Sequence, residues 1–257
     1  MLLTVDIGNT NITFGVFEGK KLTSTFRVST LQKRTSDEYG MVMCELLEHN
    51  QVAVDSISDA IVASVVPNVM HSLTSALIRY FHTQPIIIET GIKTGIRVVS
   101  RNPRQVGADR IVDAAAAYGL YGGPAIVVDY GTATTYDLID ETGAFTACVI
   151  APGMRTSAQS LWSQAAKLPE FEIKKPDSIL AQDTITCMQA GLVFGQIGQT
   201  EYIIRKIREE SGLKDVKVIA TGGLGRLIAN ETDMIDFYDP MLTLKGMQLI
   251  FEKQKRH

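Results

Sequence analysis

Apolar and polar positions alternate in blocks from the first residue. Met1-Leu2-Leu3-Thr4-Val5 is a short apolar run with β-branched members. It breaks off in the polar block Asp6-Ile7-Gly8-Asn9-Thr10-Asn11-Ile12-Thr13, and Phe14-Gly15-Val16-Phe17 resumes it up to a turn at Glu18-Gly19-Lys20. This pattern predicts strand, tight loop, strand, and residues 22–28 continue as a third strand with partial alternation. Thr35-Ser36-Asp37-Glu38 then opens a helix, with a hydroxyl to cap it and acids in its first turn. Tyr39, Val42, Met43, Leu46 and Leu47 follow at helical spacing. A buried strand over 58–66 is stopped by Pro67-Asn68, an amphipathic helix covers 69–81, and 85–88 is a short strand.

The same order returns later. Residues 95–106 connect, and 107–118 read as a helix ended by Gly122-Gly123-Pro124. Ala125-Ile126-Val127-Val128-Asp129 is again an apolar strand ending in Asp. Tyr130-Gly131-Thr132-Ala133-Thr134-Thr135 follows as loop, 136–140 as strand, Glu141-Thr142-Gly143 as turn and 145–150 as a third strand. A helix starts at Pro152-Gly153-Met154, and a longer one, capped by Asp183 or Thr184, spans about 185–211. Residues 217–220 form a strand running into the Gly-rich turn Thr221-Gly222-Gly223-Leu224-Gly225, and a helix over 244–251 closes the chain. Strand, Asp-loop, strand, strand, helices thus occurs twice, from residues 1 and 125. The pattern predicts an internal duplication, with the ligand expected in a cleft between the halves.

The loops gather unusual chemistry. Gly8 permits close backbone approach, Asn9, Thr10, Asn11 and Thr13 supply neutral polar groups, and consecutive amides can make an anion nest. An acid such as Asp6 beside a phosphate calls for a divalent cation, and Mg²⁺ is held in this way by one or two carboxylates, water and phosphate oxygens. Asp-x-Gly-Asn is equally good hairpin-turn chemistry. The recurrence of the loop at Asp129, with a third Gly-rich turn after an apolar strand, shifts the reading to a nucleotide.

Composition narrows the classes. The 257 residues are 45% hydrophobic and 21% charged, with net charge −3; this is length for one large domain or two smaller ones. No basic run exceeds the short tail Lys253-Gln254-Lys255-Arg256-His257. Nothing resembles a nucleic-acid footprint, a signal peptide or a membrane span. The scattered Cys44, Cys148 and Cys187 have no metal spacing and fit a reducing, cytoplasmic setting. His49, His71, His82 and His257 read as structural or surface residues, so any metal is expected on oxygen ligands.

With these residues in view, the chain resembles the actin-like ATPase and sugar kinase superfamily, and within it the type III pantothenate kinases. The resemblance is carried by Asp6-Ile7-Gly8-Asn9-Thr10, Asn102-Pro103 with Gly107-Ala108-Asp109-Arg110, and Asp129-Tyr130-Gly131-Thr132-Ala133-Thr134-Thr135. Ala151-Pro152-Gly153, Thr184 with Gln189-Ala190-Gly191, and Ala220-Thr221-Gly222-Gly223-Leu224 extend it along the chain. It implies an α/β fold of two duplicated ribonuclease H-like (actin-like ATPase) domains, 1–113 and 114–257, with a nucleotide cleft between them. It implies ATP-dependent phosphorylation of the pantothenate 4′-hydroxyl, the first step towards coenzyme A. It also implies Mg²⁺ with ATP, a monovalent cation (K⁺ or NH₄⁺) and a homodimer, with no nucleic acid and no membrane.

Roles carried over by the resemblance are as follows. Asp109 is the base. Asp6, Ile7, Gly8, Asn9, Thr10, Asn11, Ile12, Thr13 and Thr132 contact ATP. Gly107, Ala108, Asp109, Arg110 and Thr184 contact pantothenate, and Asp129 binds the monovalent cation. Bland roles stand beside these: an Asp at a helix start is a cap worth about 1 kcal/mol, Arg110 can pair with Asp113 on the surface, Asp129 can be a turn acid and Thr184 the N-cap of the long helix. Three positions depart from the family pattern. Ser100 stands where many relatives have tyrosine, Asp183 where Asn is usual, and Cys148 where Gly or Ala is usual. The competing readings are a non-catalytic factor that keeps the fold and a phosphohydrolase acting without an acceptor.

Overall fold

The computed structural model describes residues 1–89 and 91–255. Arg256 and His257, the end of the basic tail, lie outside the described residues. In chain order the strands and helices are β1 (Leu2–Ile7), β2 (Asn11–Glu18), β3 (Lys21–Ser29), α1 (Ser36–His49), β4 (Asp59–Ser64), α2 (Pro67–Phe81), β5 (Ile86–Ile87), β6 (Arg97–Val98) and α3 (Ala108–Tyr121). They continue with β7 (Ala125–Tyr130), β8 (Ala133–Ile139), β9 (Ala144–Pro152), α4 (Met154–Gln164), α5 (Thr184–Ser211), β10 (Lys217–Thr221), α6 (Gly225–Ala229), β11 (Phe237–Tyr238) and α7 (Leu242–Lys255).

The chain forms two compact units. The first comprises Met1–Arg97, Arg101–Gly119 and the segment from Leu242 onward; the second comprises Val98–Ser100 and Leu120–Met241. The boundary expected at 113/114 falls inside α3, and α7 belongs with the first unit. Its apolar face explains this: Leu242, Leu244, Met247 and Ile250 are buried, and α7 packs on β1, β2 and β4.

In the first unit five strands run in the order β3-β2-β1-β4-β5. The β1–β2 and β2–β3 pairs are antiparallel, and β1–β4 and β4–β5 are parallel. The tight β2–β3 turn is closed by Gly19 at φ +60°, a conformation that glycine adopts without strain. Alternation sends Leu3, Val5 and Ile7 of β1, with Ile12, Phe14 and Val16 of β2, into one core with Met43, Leu47, Leu73 and Leu77 of α1 and α2. Each such buried aliphatic chain stabilises the fold by about 1.5–3 kcal/mol. A full capping box starts α1: Thr35 accepts the Glu38 amide, and Glu38 accepts the Thr35 amide. On the opposite sheet face Thr4 and Gly15 pair in register, and a Cβ on Gly15 would lie 2.9 Å from Leu244 of α7. A Cβ on Gly246 would strike the Val112 carbonyl, so glycine there lets α7 close on α3.

The second unit repeats the plan. Its sheet order is β11-β10-β7-β8-β9-β6, so β9-β8-β7-β10-β11 reproduces β3-β2-β1-β4-β5 with one strand added at the edge. The directions repeat too: β7–β8 and β8–β9 are antiparallel, while β7–β10 and β10–β11 are parallel. The duplication predicted from the recurring Asp-loop is therefore present in the topology. Ile126, Val128, Tyr130, Tyr136 and Leu138 meet Val193 and Ile204 of the 28-residue α5 in the core. A buried polar chain crosses it: the Thr200 hydroxyl lies 3.0 Å from the Tyr130 hydroxyl and 3.2 Å from that of Tyr136, which also accepts from the Gln196 amide at 3.3 Å. Asp183 is the cap of α5, accepting the Thr186 amide at 3.1 Å, and Thr184 is the first helical residue. The two-residue strands β5, β6 and β11 are too short to carry a period of two, and β6 and β11 left no mark in the pattern.

Candidate active site

In the first unit the Asp6–Thr13 block is a strand end, a loop and a strand start. Ile7 and Ile12 are paired in register and fully buried in the core, so only their backbones face the loop. Asp6 and Thr13 are paired on the other face, the one that also carries Thr4 and Gly15. Asn9, Thr10 and Asn11 are exposed. The Gly8 amide donates to the Asn11 carbonyl at 3.0 Å and closes the loop. Thr30, directly after β3, holds it in place: its amide donates to the Thr10 carbonyl at 3.0 Å and its hydroxyl to the Gly8 carbonyl at 2.8 Å.

The Gly107-Ala108-Asp109-Arg110 block comes to the same strand ends. The Val65 amide, just after β4, donates to the Ile7 carbonyl at 3.1 Å. A Cβ built on Gly107 would lie 3.4 Å from Val65 and 2.5 Å from Asp109 Oδ1. The Asp109 carboxylate thus folds back over Gly107 at the start of α3, where it accepts the Arg110 amide at 2.8 Å. Burial pushes this carboxyl above its ordinary range, against the pull of the Arg110 amide and guanidinium. A half-buried carboxylate with a raised pKa, at a helix start beside a glycine loop, can accept a proton from a substrate hydroxyl.

The second unit brings Asp129 and Thr132 to its own loop, with the Thr221-Gly222-Gly223 turn. The Gly131 amide donates to the Ala133 carbonyl at 3.1 Å, as Gly8 does to Asn11. The Thr132 carbonyl accepts twice, from the Gly153 amide at 3.1 Å and the Thr156 hydroxyl at 2.8 Å. Gly222 has φ +89°, and a Cβ there would lie 2.6 Å from Asp129 Oδ1 and 2.7 Å from the Tyr130 backbone. The Tyr238 hydroxyl donates to the Gly222 carbonyl at 3.0 Å, while Gly223 faces open space. Thr184 lies elsewhere in this unit, on a groove of about 790 Å³ with Ser157, Leu161, Asp183, Cys187 and Met188. Ser100 is exposed.

Among the described residues no three His, Cys, Asp or Glu side chains gather as a metal cage. The oxygen donors that do stand at the loops suit a different arrangement. Asp6 at a strand end fits Mg²⁺ held by one carboxylate with water and phosphate oxygens. Asp129, enclosed by Gly131 and Gly222, fits a hard cation on carboxylate and carbonyl oxygens.

Thr30, Gly153 and Thr156 were not among the expected site residues. A signal was present: Thr30 follows Gly8 by the 22 residues that separate Gly153 from Gly131, so aligning the two repeats on their glycines finds both.

Two ribonuclease H-like units, each with an Asp-led glycine loop at the end of its first strand, define the actin-like ATPase and sugar kinase class of fold. Comparison with known proteins narrows it. A family model described as type III pantothenate kinase matches residues 2–206. A type III pantothenate kinase of Agathobacter rectalis is 64% identical over 256 residues, covering 100% of this chain and 98% of that one. Another, from Bacillus cytotoxicus, is 47% identical over 253 residues, covering 98% and 96%. The chain belongs to the type III pantothenate kinase family. A Campylobacter jejuni structure solved under the name Baf family transcriptional activator matches with TM-score 0.63 over 99% of this chain and 100% of that chain, at 21% identity, a likeness of fold.

Proposed function

We propose that this protein transfers the γ-phosphoryl group of ATP to the 4′-hydroxyl of pantothenate, giving 4′-phosphopantothenate and ADP at the first step towards coenzyme A. Family membership over the whole chain supports the reaction. The single structural observation that carries it is Asp109, folded over Gly107 at the start of α3 with its pKa raised by burial.

Asp109 takes the proton of the 4′-hydroxyl as that oxygen bonds to the γ-phosphorus. The bond from the γ-phosphorus to the β,γ-bridging oxygen breaks, and ADP leaves. Phosphoryl transfer asks mainly for positioning and charge stabilisation, so the placement of the Asp109 carboxylate counts for more than the upward shift of its pKa. Arg110 engages the pantothenate carboxylate by a charge-assisted hydrogen bond. The Asp6–Thr13 loop and Thr132 hold the nucleotide phosphates through backbone amides and hydroxyls, Gly107 and Ala108 line the pantothenate seat, and Thr184, on its separate groove, reaches the seat of the other protomer across the dimer interface. Mg²⁺ at Asp6 and K⁺ or NH₄⁺ at Asp129 supply positive charge to the phosphates when bound. The working form is a homodimer in the cytoplasm, and neither nucleic acid nor membrane takes part. No described helix is long and apolar enough to cross a membrane.

The test is product identification by mass spectrometry after incubation with Mg-ATP and pantothenate, in K⁺ and in Na⁺ buffer. A pantothenate adduct heavier by one phosphoryl group, formed in K⁺ and scarcely in Na⁺, is expected. Free phosphate without an acceptor product would favour a phosphohydrolase.

A further inference from the structure

We infer that Thr30 and Thr156 are matched positioning residues, each locking one glycine loop so that its amides rather than its carbonyls are offered to a ligand. In the first loop the carbonyl oxygens of Gly8, Thr10 and Asn11 all accept hydrogen bonds from within the unit: from the Thr30 hydroxyl, the Thr30 amide and the Gly8 amide. In the second loop the Thr132 carbonyl accepts from both the Gly153 amide and the Thr156 hydroxyl, and the Ala133 carbonyl accepts from Gly131. A Cβ at Gly153 would strike the Gly131 and Thr132 carbonyl oxygens, so the backbone itself covers them.

The chemistry follows from charge. A peptide carbonyl repels a phosphate oxygen and an amide attracts it, and loops that bind anions are those whose amides converge. A glycine loop is flexible enough to turn either side outward. In both units the residue that follows the third strand supplies an amide and the clamp adds a threonine hydroxyl, on residues unrelated in local structure: Thr30 directly follows β3, while Thr156 lies in the first turn of α4. One device has been reached by two constructions, which a fold requirement alone does not explain. Neither threonine touches the reacting atoms; each acts through the loop it holds. The inference rests on the reading that these loops hold ATP.

The test compares Thr30→Val and Thr156→Val with the conservative Thr30→Ser and Thr156→Ser, and with Gly8→Ala, whose added Cβ would lie 3.2 Å from the Asn11 carbonyl. Steady-state kinetics, calorimetric titration with Mg-ADP and melting temperature are read for each. Losing one hydroxyl bond should raise KM for ATP and Kd for ADP roughly fivefold, leaving KM for pantothenate within about twofold, and the Ser variants should restore both. Thr156 is exposed at the head of α4, so its Val variant tests the inference even where Thr30→Val folds poorly. Unchanged ATP and ADP constants in folded Val variants, with Gly8→Ala weakening both, would overturn the clamp role alone. A lowered melting temperature with no nucleotide effect, or an equal effect on both substrates, would overturn it as well. Unchanged ADP binding in Gly8→Ala would instead overturn the reading of the loop as a nucleotide site.

Discussion

Asp109 Oδ1 occupies the space that a side chain on Gly107 would need: a Cβ there would lie 2.5 Å away. The glycine is thus a steric condition for the carboxylate's position rather than a hinge. Gly107→Ala should displace the carboxylate by a fraction of an ångström to an ångström. Displacements of that size cost on the order of a hundredfold in rate. The expected result is a fall in kcat of about that factor with ATP binding retained, read by steady-state kinetics alongside nucleotide titration.

Arg110 and burial act on Asp109 in opposite directions, burial being the larger. Asp109 works as a base only when ionised, so kcat/KM should fall as pH drops through its pKa, on a limb set above the ordinary carboxylate range. Arg110→Met removes a cation that lowers that pKa. The acid limb should therefore move to higher pH in the variant. A pH profile of kcat/KM for ATP checks this, since pantothenate binding is itself expected to weaken.

Gly222 meets Asp129 as Gly107 meets Asp109, but with backbone strain added. At φ +89° a side chain is disfavoured, and its Cβ would press on Asp129 Oδ1 at 2.6 Å. Gly222→Ala should lower stability by about 1–3 kcal/mol and raise the K⁺ concentration needed for half-maximal activity. Chemical denaturation and K⁺ titration measure the two effects.

Two buried hydroxyls in the second unit predict opposite outcomes. Thr200 satisfies both Tyr130 and Tyr136, so Thr200→Val leaves two buried phenols short of a partner and should cost about 1–3 kcal/mol. The Thr134 hydroxyl is fully buried and has no hydrogen-bond partner among the described residues. Thr134→Val, of the same shape, should be neutral or stabilising. Melting temperatures of the two variants decide it.

Much of this was legible in the residues because it rests on local rules. The run 1–5, the break at Asp6 and the resumption at Phe14 specify a hairpin, and their recurrence at 125–140 specifies a duplication; both appear in the sheet orders. Thr35 and Glu38 announce α1 and form its capping box. What was not legible depends on chain-distant packing. The apolar face of α7 does not say which sheet it covers; its packing on β1, β2 and β4, which groups it with the first unit, is visible only in the structure. Ile7 and Ile12 were grouped with the polar loop, although the period of two sends their side chains into the core. Asp183 and Thr184 are both good caps, and only the backbone geometry of the Asp183–Thr186 turn selects Asp183. The Thr30 and Thr156 clamps join positions 20 or more residues apart, where hydrophobic patterning is silent.

The central claim is that Asp109 activates a pantothenate hydroxyl at an ATP site. ADP release from Mg-ATP in K⁺ buffer, with and without pantothenate, tests it most directly when run on the native chain and on Asp109→Asn, with Mg-ADP titration as the control. The expected result is release that requires pantothenate in the native chain, and loss of turnover by about a hundredfold or more in Asp109→Asn, within the range expected for losing a general base, with ADP affinity unchanged. Pantothenate-independent release, or full turnover by Asp109→Asn, would contradict it.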